Sequence, residues 1–242
     1  KSYEVFTPKW MGNWVYSQIN QHAFASPVLT KKTKVLYVYH QYGFPQKMEE
    51  LIDFSKKYDL LIIEDCAHLL ITEKNRKSVG NIGDFSIHSF SKFFYCNTLG
   101  GVISKDEMFF EYIDKLIEDT PLWISKFNNL SKFMIECLLN SRKDRTRLIT
   151  HLASITYPLY NFGFKASKKS IRLAISKFEK EVNIRKKYYK CFLEECNKYG
   201  ICDSLMHEDL APFVIPVVLR ESHLAKLISV LNRKGFSSSI YH

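Results

Sequence analysis

The sequence predicts an α/β chain, with a large domain built on a mainly parallel sheet followed by a smaller α+β unit. The first observation is Val35 to His40 (VLYVYH), a β-branched and aromatic run that ends in the turn Gln41-Tyr42-Gly43-Phe44-Pro45. The second is Gln46 to Tyr58, where Met48, Leu51, Ile52 and Phe54 recur at near-helical spacing between charged positions. The third is Leu60 to Ile63, a wholly apolar run that leads straight into Glu64-Asp65. Strand, helix and strand joined this tightly make a βαβ unit, and therefore a parallel pair. Ligands of such sheets bind beyond the carboxyl ends of the strands, so His40, Asp65 and the turn after Tyr42 are expected at the edge where chemistry happens.

Two further strands are expected at Asp84 to Phe90 and Gly100 to Ser104, with a polar and aromatic loop between them. Helical patterns follow near residues 107–118 and 125–140, and a long amphipathic helix runs from Ser167 to about Tyr199. Strand Ala211 to Leu219, helix Ser222 to Arg233 and a last strand from Phe236 complete a small unit, with Gly235 as the helix stop. Residues 1–165 are thus read as a large domain and 166–242 as a small one, both as parts of a longer protein, because the chain opens on Lys1 and stops at His242 after an ordered-looking run.

Composition narrows the classes. With 242 residues, 46% of them hydrophobic, the chain buries a substantial core and is not a disordered one. The net charge of +10 suits an anionic partner, yet the basic residues are scattered. The two dense stretches, Arg142 to Arg147 and Lys165 to Arg172, lack the interleaved aromatics of a nucleic-acid platform and read as solvated faces. The six cysteines form no C-x-x-C pair and share no metal-ligand spacing with histidines, which points to reduced thiols and a cytoplasmic protein with no metal. Leu148 to Phe164, the longest uncharged stretch, contains His151, Pro158 and Asn161 and is too polar to span a bilayer, so no membrane span is expected.

Four residue types at that sheet edge carry chemistry. Asp65 ends an apolar strand, where a carboxylate is costly to desolvate unless it meets a cation such as a protonated ring nitrogen; a solvated acid opening a turn is the plainer alternative. Lys92 lies 27 positions on (92 − 65), just after a strand, and can reach the same edge; a surface lysine is its plainer reading. Ser89 and Ser91 flank it with hydroxyls suited to a phosphate, and Gly100-Gly101 permits close backbone approach. His68 can stack on or hydrogen-bond a planar ring, or can simply be a partly buried hydrogen-bonding residue.

Taken in order, H-Q-Y-G-F-P, L-L-I-I-E-D-C-A-H, G-N-I-G-D-F-S-I-H-S-F-S-K and L-G-G-V-I-S-K-D resemble the DegT/StrS (DnrJ/EryC) family of sugar aminotransferases that use pyridoxal 5'-phosphate (PLP). The resemblance is continuous from about Val35 to Lys105 and fainter from Ala211 to His242. It implies an aspartate-aminotransferase-like (type I PLP) large domain, incomplete at both ends. It further implies Asp65 at the pyridine nitrogen, His68 near the ring hydroxyl and face, Ser89 on the phosphate, and Lys92 as covalent anchor and proton shuttle.

The implied reaction moves an amino group from an amino acid, glutamate by expectation, to a keto-sugar carried on a nucleotide, in surface polysaccharide or secondary metabolite synthesis. The implied assembly is a homodimer with the active site at the subunit interface. Arg142, Arg145 and Arg147 are candidates to meet the anionic substrate. The family's Gly-Thr phosphate-binding turn has no counterpart in residues 1–34, and the loop from Lys92 to Gly100 departs from the usual form.

Rival readings are a dinucleotide-binding Rossmann enzyme, for which no G-x-G-x-x-G follows a strand, a receiver-like phosphoacceptor module, and a catalytically silent family relative that binds or regulates.

Overall fold

A computed structural model describes residues 30–46, 48–70, 79–94, 99–139, 146–156, 159, 162–198, 210–215 and 221–234. Four strands, β1 (Val35–Tyr39), β2 (Leu61–Asp65), β3 (Phe85–Ser89) and β4 (Gly100–Ser104), form one sheet in the order β1-β2-β3-β4. The first three are parallel, with Tyr39 opposite Asp65 and Asp65 opposite Ile87; β4 runs antiparallel, with Gly100 opposite Ser89. The Gly100-Gly101 pair therefore returns the chain to the same edge at which β1, β2 and β3 end.

The predicted βαβ unit is present, and its boundaries follow from burial. Helix α1 (Met48–Tyr58) lays Met48 and Leu51 on Leu36, Val38 and Ile62, the apolar residues of one sheet face. Each such side chain, fully removed from water, contributes roughly 1.5–3 kcal/mol. Asp59 ends the helix at φ 52°, a left-handed position that Asp tolerates better than a bulkier residue would. Strand β2 runs on to include Glu64 and Asp65, beyond the apolar LLII run, because both carboxylates find hydrogen-bond donors.

Helices α2 (Glu107–Glu118), α3 (Leu122–Leu139) and α4 (Thr146–Thr156) follow the sheet. Asp106 caps α2 by accepting from the Phe109 N–H at 3.3 Å. Helix α3 opens three residues earlier than periodicity predicts, directly after Pro121, a helix-starting residue once its lost N–H costs nothing. The uncharged stretch at 148–164 is partly the short helix α4, whose Leu148 and Ile155 stay exposed. Among the described residues no helix is long and apolar enough to cross a membrane.

Helix α5 (Lys168–Lys198) matches the long helix read from the sequence and positions the site. Its Tyr189 and Leu193 pack on Tyr42 and Phe44 of the turn after β1, and its Ala174 and Val182 pack on Leu70, Phe93, Phe94 and Leu99. One helix thus backs both the turn and the loop that carries Lys92. Helix α6 (Glu221–Arg233) is as predicted. Of the expected strand at 211–219, residues 210–215 are described and make one antiparallel bridge, Leu69 to Pro212. The expected strand at Phe236 lies outside the described residues, as do residues 1–29, where the sequence shows no Gly-Thr turn.

Candidate active site

Alternation along the strands sorts the polar residues onto two faces. On the face covered by α1, the His40 and Glu64 side chains are fully buried and pair at 3.2 Å. The Glu64 oxygens also accept from the N–H groups of Gly80 (2.7 Å), Ile82 (2.8 Å) and Gly83 (2.7 Å). Burial alone would raise the Glu64 carboxyl; the bonds from His40, Gly83 and Gly80 outweigh it and hold the group below the usual carboxylate range. His40 stands at the strand ends as the sequence predicts, its N–H bonded to Asp65 O at 3.1 Å, but its side chain is a structural anchor on the α1 face. Cys66 lies close enough to His40 and Glu64 for a metal, with ligand atoms within 4.8 Å. His40 and Glu64 already spend their donors and lone pairs on each other and on backbone N–H groups, and burial pushes the Cys66 thiol up, away from the thiolate a metal needs.

The opposite face carries the candidate site. Asp65 ends β2, half-buried, and both its oxygens are held: the Tyr37 hydroxyl donates to Oδ2 at 2.5 Å and the Ala67 N–H donates to Oδ1 at 2.9 Å. A phenol and a backbone amide offset the desolvation of this carboxylate, and lone pairs remain on both oxygens for a further donor. The same bond, together with burial, raises the Tyr37 phenol, burial being the larger cause, so Tyr37 stays a donor.

Lys92 closes a short 3-10 turn (Phe90–Lys92) that follows β3 directly. The Ser91 N–H bonds to Leu99 O at 3.1 Å and the N–H groups of Phe93 and Phe94 both bond to Phe90 O at 3.0 Å, so the lysine stands on an ordered turn. Burial pulls its amine below the ordinary lysine range, with the Asp65 charge opposing. His68 feels Lys92 and Asp65 in turn: burial, then the Lys92 charge, bring it down to about 4, against the pull of Asp65. Asp65, His68 and Lys92 thus bear on one another electrostatically at one sheet edge. Ser89 is the last residue of β3, and its Oγ is 3.4 Å from Ser91 Oγ.

Several contributors were not legible in the sequence. Phe213 stacks on the His68 ring at 4.8 Å and 15°, and Lys92 Nζ lies 5.8 Å from the same Phe213 ring. One face of His68 is thus occupied by a side chain from far along the chain. Arg185 of α5 holds that segment in place: its Nη1 donates to the carbonyls of Pro212 (3.0 Å) and Phe213 (3.1 Å), and its guanidinium lies over the rings of Phe93 and Phe213. Tyr37 and Tyr39 alternate with the core residues of β1, a signal that would have placed them on the face of Asp65. Gln41 Oε1 is buried without a hydrogen-bond partner among the described residues, an acceptor left over beside the turn. Arg142, Arg145 and the side chain of Arg147 lie outside the described residues.

An amine of lowered basicity, a carboxylate fixed by two donors and an imidazole held neutral lie together at the end of a parallel sheet. The family model for the DegT/DnrJ/EryC1/StrS aminotransferase family matches residues 16–242, and the chain belongs to that family. A GDP-perosamine synthase of Escherichia coli O157:H7 is 34% identical over 85 residues, which cover 34% of this chain and 23% of that protein. A dTDP-3-amino-3,6-dideoxy-alpha-D-galactopyranose transaminase of Aneurinibacillus thermoaerophilus is 42% identical over 62 residues, 26% of this chain and 17% of that protein.

Among solved structures, a GDP-4-keto-6-deoxymannose-3-dehydratase mutant with bound GDP-perosamine superposes with a TM-score of 0.57 at 18% identity, covering 86% of this chain and 54% of that one. The E. coli GDP-4-keto-6-deoxy-D-mannose-3-dehydratase with bound hydrated PLP gives a TM-score of 0.52 at 16% identity, covering 87% and 54%. At these identities the likeness is one of fold. The chain spans about half the length of these solved chains, and its matches span about a fifth of the two curated relatives.

Proposed function

We propose that the chain is the cofactor-binding part of a PLP-dependent aminotransferase that aminates a nucleotide-linked keto-sugar at the expense of an amino acid, glutamate being the expected donor. The observation that carries the reading is that Lys92 Nζ and the His68 ring lie against the same Phe213 ring, beside Asp65 at the end of β2. The residues fit PLP by their chemistry. Lys92 offers an amine for the aldehyde, Asp65 a carboxylate with spare lone pairs for the pyridine nitrogen, His68 an imidazole for the ring oxygen, and Ser89 and Ser91 hydroxyls for the phosphate. Similarity to a perosamine synthase and to an amino-sugar transaminase supports the substrate class.

When bound, PLP supplies an electron sink for a carbanion at the substrate carbon. The chain's own tasks are binding and proton movement. Asp65, fixed by Tyr37 and Ala67, would hold the ring nitrogen in its protonated form. Lys92, whose amine is pulled below the ordinary lysine range, would hold the cofactor and, once released, would serve as the base and then the acid for the proton shift. The division into a large domain at 1–165 and a small one at 166–242, a homodimer with the active site at the subunit interface, a cytoplasmic location, and a role in surface polysaccharide or secondary metabolite synthesis belong to the same proposal.

The test is an absorbance titration of the full-length protein with PLP. The visible band of lysine-bound PLP is expected in the unsubstituted protein and absent in Lys92→Ala, with circular dichroism unchanged. Persistence of the band in Lys92→Ala would overturn the assignment, and no band shift on adding glutamate would favour a silent relative.

A further inference from the structure

Tyr42 has φ 58° and ψ 4°, a left-handed conformation that is rare and costly for a bulky side chain, and Gly43 follows at φ 94°. Strain of this kind persists where the surroundings over-determine it. Here Tyr42 is buried, its carbonyl accepts from the N–H groups of Phe213 (2.8 Å) and Val214 (3.3 Å), and its ring packs with Phe44 against Tyr189 and Leu193. The conformation turns the Tyr42 N–H toward His68, where it donates to Nδ1 at 3.1 Å.

A backbone N–H can only donate. Nδ1 must therefore present its lone pair, and in a neutral ring the proton sits on Nε2. Exchanging the ring's nitrogen and carbon positions would point a C–H at that amide, so the ring orientation follows from the same contact. Phe213, stacked at 4.8 Å, fixes the ring plane. The Tyr39 hydroxyl lies 2.8 Å from Nδ1 and 3.5 Å from Nε2, too far round the ring to lie along a single lone pair. The charged groups facing the ring are Lys92, which disfavours its protonation, and Asp65, which favours it.

We propose that the strained Tyr42–Gly43 turn locks His68 as the neutral Nε2–H tautomer, so that His68 serves the cofactor ring as a hydrogen-bond donor and not as a proton carrier. The donor role rests on the PLP reading; the tautomer lock does not. Proton transfer at the reacting atoms is then left to the amine of Lys92.

The test uses the full chain labelled with 15N-histidine, read by long-range 1H–15N correlation, with the His68 signals among the eight histidines identified by their loss in His68→Gln. Without cofactor, Nδ1 of His68 is expected to be pyridine-like and Nε2 pyrrole-like, as a single tautomer that does not titrate near ~6.5, the ordinary imidazole value. A protonated Nδ1, a tautomer mixture or titration near that value overturns the lock. Tyr39→Phe should leave the tautomer unchanged, because the backbone sets it; loss of the single tautomer there would move the role to the hydroxyl and overturn the turn's part.

For the donor role, His68→Gln keeps a side-chain N–H and should hold the PLP dissociation constant within about threefold. His68→Phe should raise it about tenfold, the loss of one hydrogen bond of about 1.4 kcal/mol. Equal losses overturn the donor role. No PLP binding by the unsubstituted chain overturns the cofactor reading and the donor role together, while the tautomer lock still stands or falls on the spectrum.

Discussion

The Tyr37 hydroxyl donates to Asp65 Oδ2 at 2.5 Å across adjacent parallel strands, two register positions from the residue Tyr37 directly faces, Ile63. That bond fixes the carboxylate of a residue at the strand's end, where a free side chain would rotate. Tyr37→Phe removes the bond and keeps the ring. The expected result is a PLP dissociation constant about fivefold higher, from a net hydrogen-bond contribution of about 1 kcal/mol, with the far-UV circular dichroism retained. Absorbance titration checks it.

Glu64 anchors the chain at residues 80–83 from the opposite face through three backbone N–H groups and His40. Glu64→Gln turns an NH2 toward donors and leaves His40 with a neutral partner. A loss of about 3 kcal/mol is expected, in the range for breaking one side of a buried pair, and is read as a lower urea midpoint. Because the folded carboxyl titrates below its ordinary value, its contribution is complete above that value and drains as pH falls through the lowered one. The acid limb of the stability profile should therefore flatten in Glu64→Gln.

Gly43 is held at φ 94°, and a Cβ there would meet His68 O at 2.6 Å, Pro212 Cα at 2.8 Å and Phe213 N at 2.9 Å. Every one of these is a backbone atom and none can swing aside. Gly43→Ala should cost more than about 2 kcal/mol in urea unfolding, combining strain at positive φ with the displaced segment. A stability equal to that of the unsubstituted chain would contradict the tight turn.

His68 contributes a pH dependence of opposite origin to that of a paired histidine. Folded, it titrates at about 4, below an ordinary imidazole near ~6.5, so the unfolded chain takes up the proton first as pH falls. Its stabilising effect is complete above the ordinary value and is lost as pH drops from about 6.5 to about 4. Urea midpoints measured across that window should fall less steeply in His68→Gln than in the unsubstituted chain.

The βαβ unit was readable because LLII, VLYVYH and the spacing of Met48, Leu51, Ile52 and Phe54 each carry a period that matches one element. Asp65 and Lys92 were placed at one edge for a related reason, since Asp65 ends β2 and Lys92 follows β3, and the edge of a parallel sheet gathers such residues. His40 does stand at that edge, but period alone does not say that its side chain will find a glutamate on the far face; its pairing with Glu64 needs the register of β1 against β2. Phe213 and Arg185 were invisible because their part depends on α5 crossing behind the Lys92 turn, a packing of residues far apart in sequence.

The most direct measurement is the position of covalent attachment. The full-length protein is incubated with PLP, reduced with borohydride, digested and mapped by mass spectrometry. The arrangement of Lys92 beside Asp65 and His68 predicts that the reduced pyridoxyl group sits on the peptide containing Lys92. Labelling spread over other lysines, with Lys92 unmodified, would contradict it.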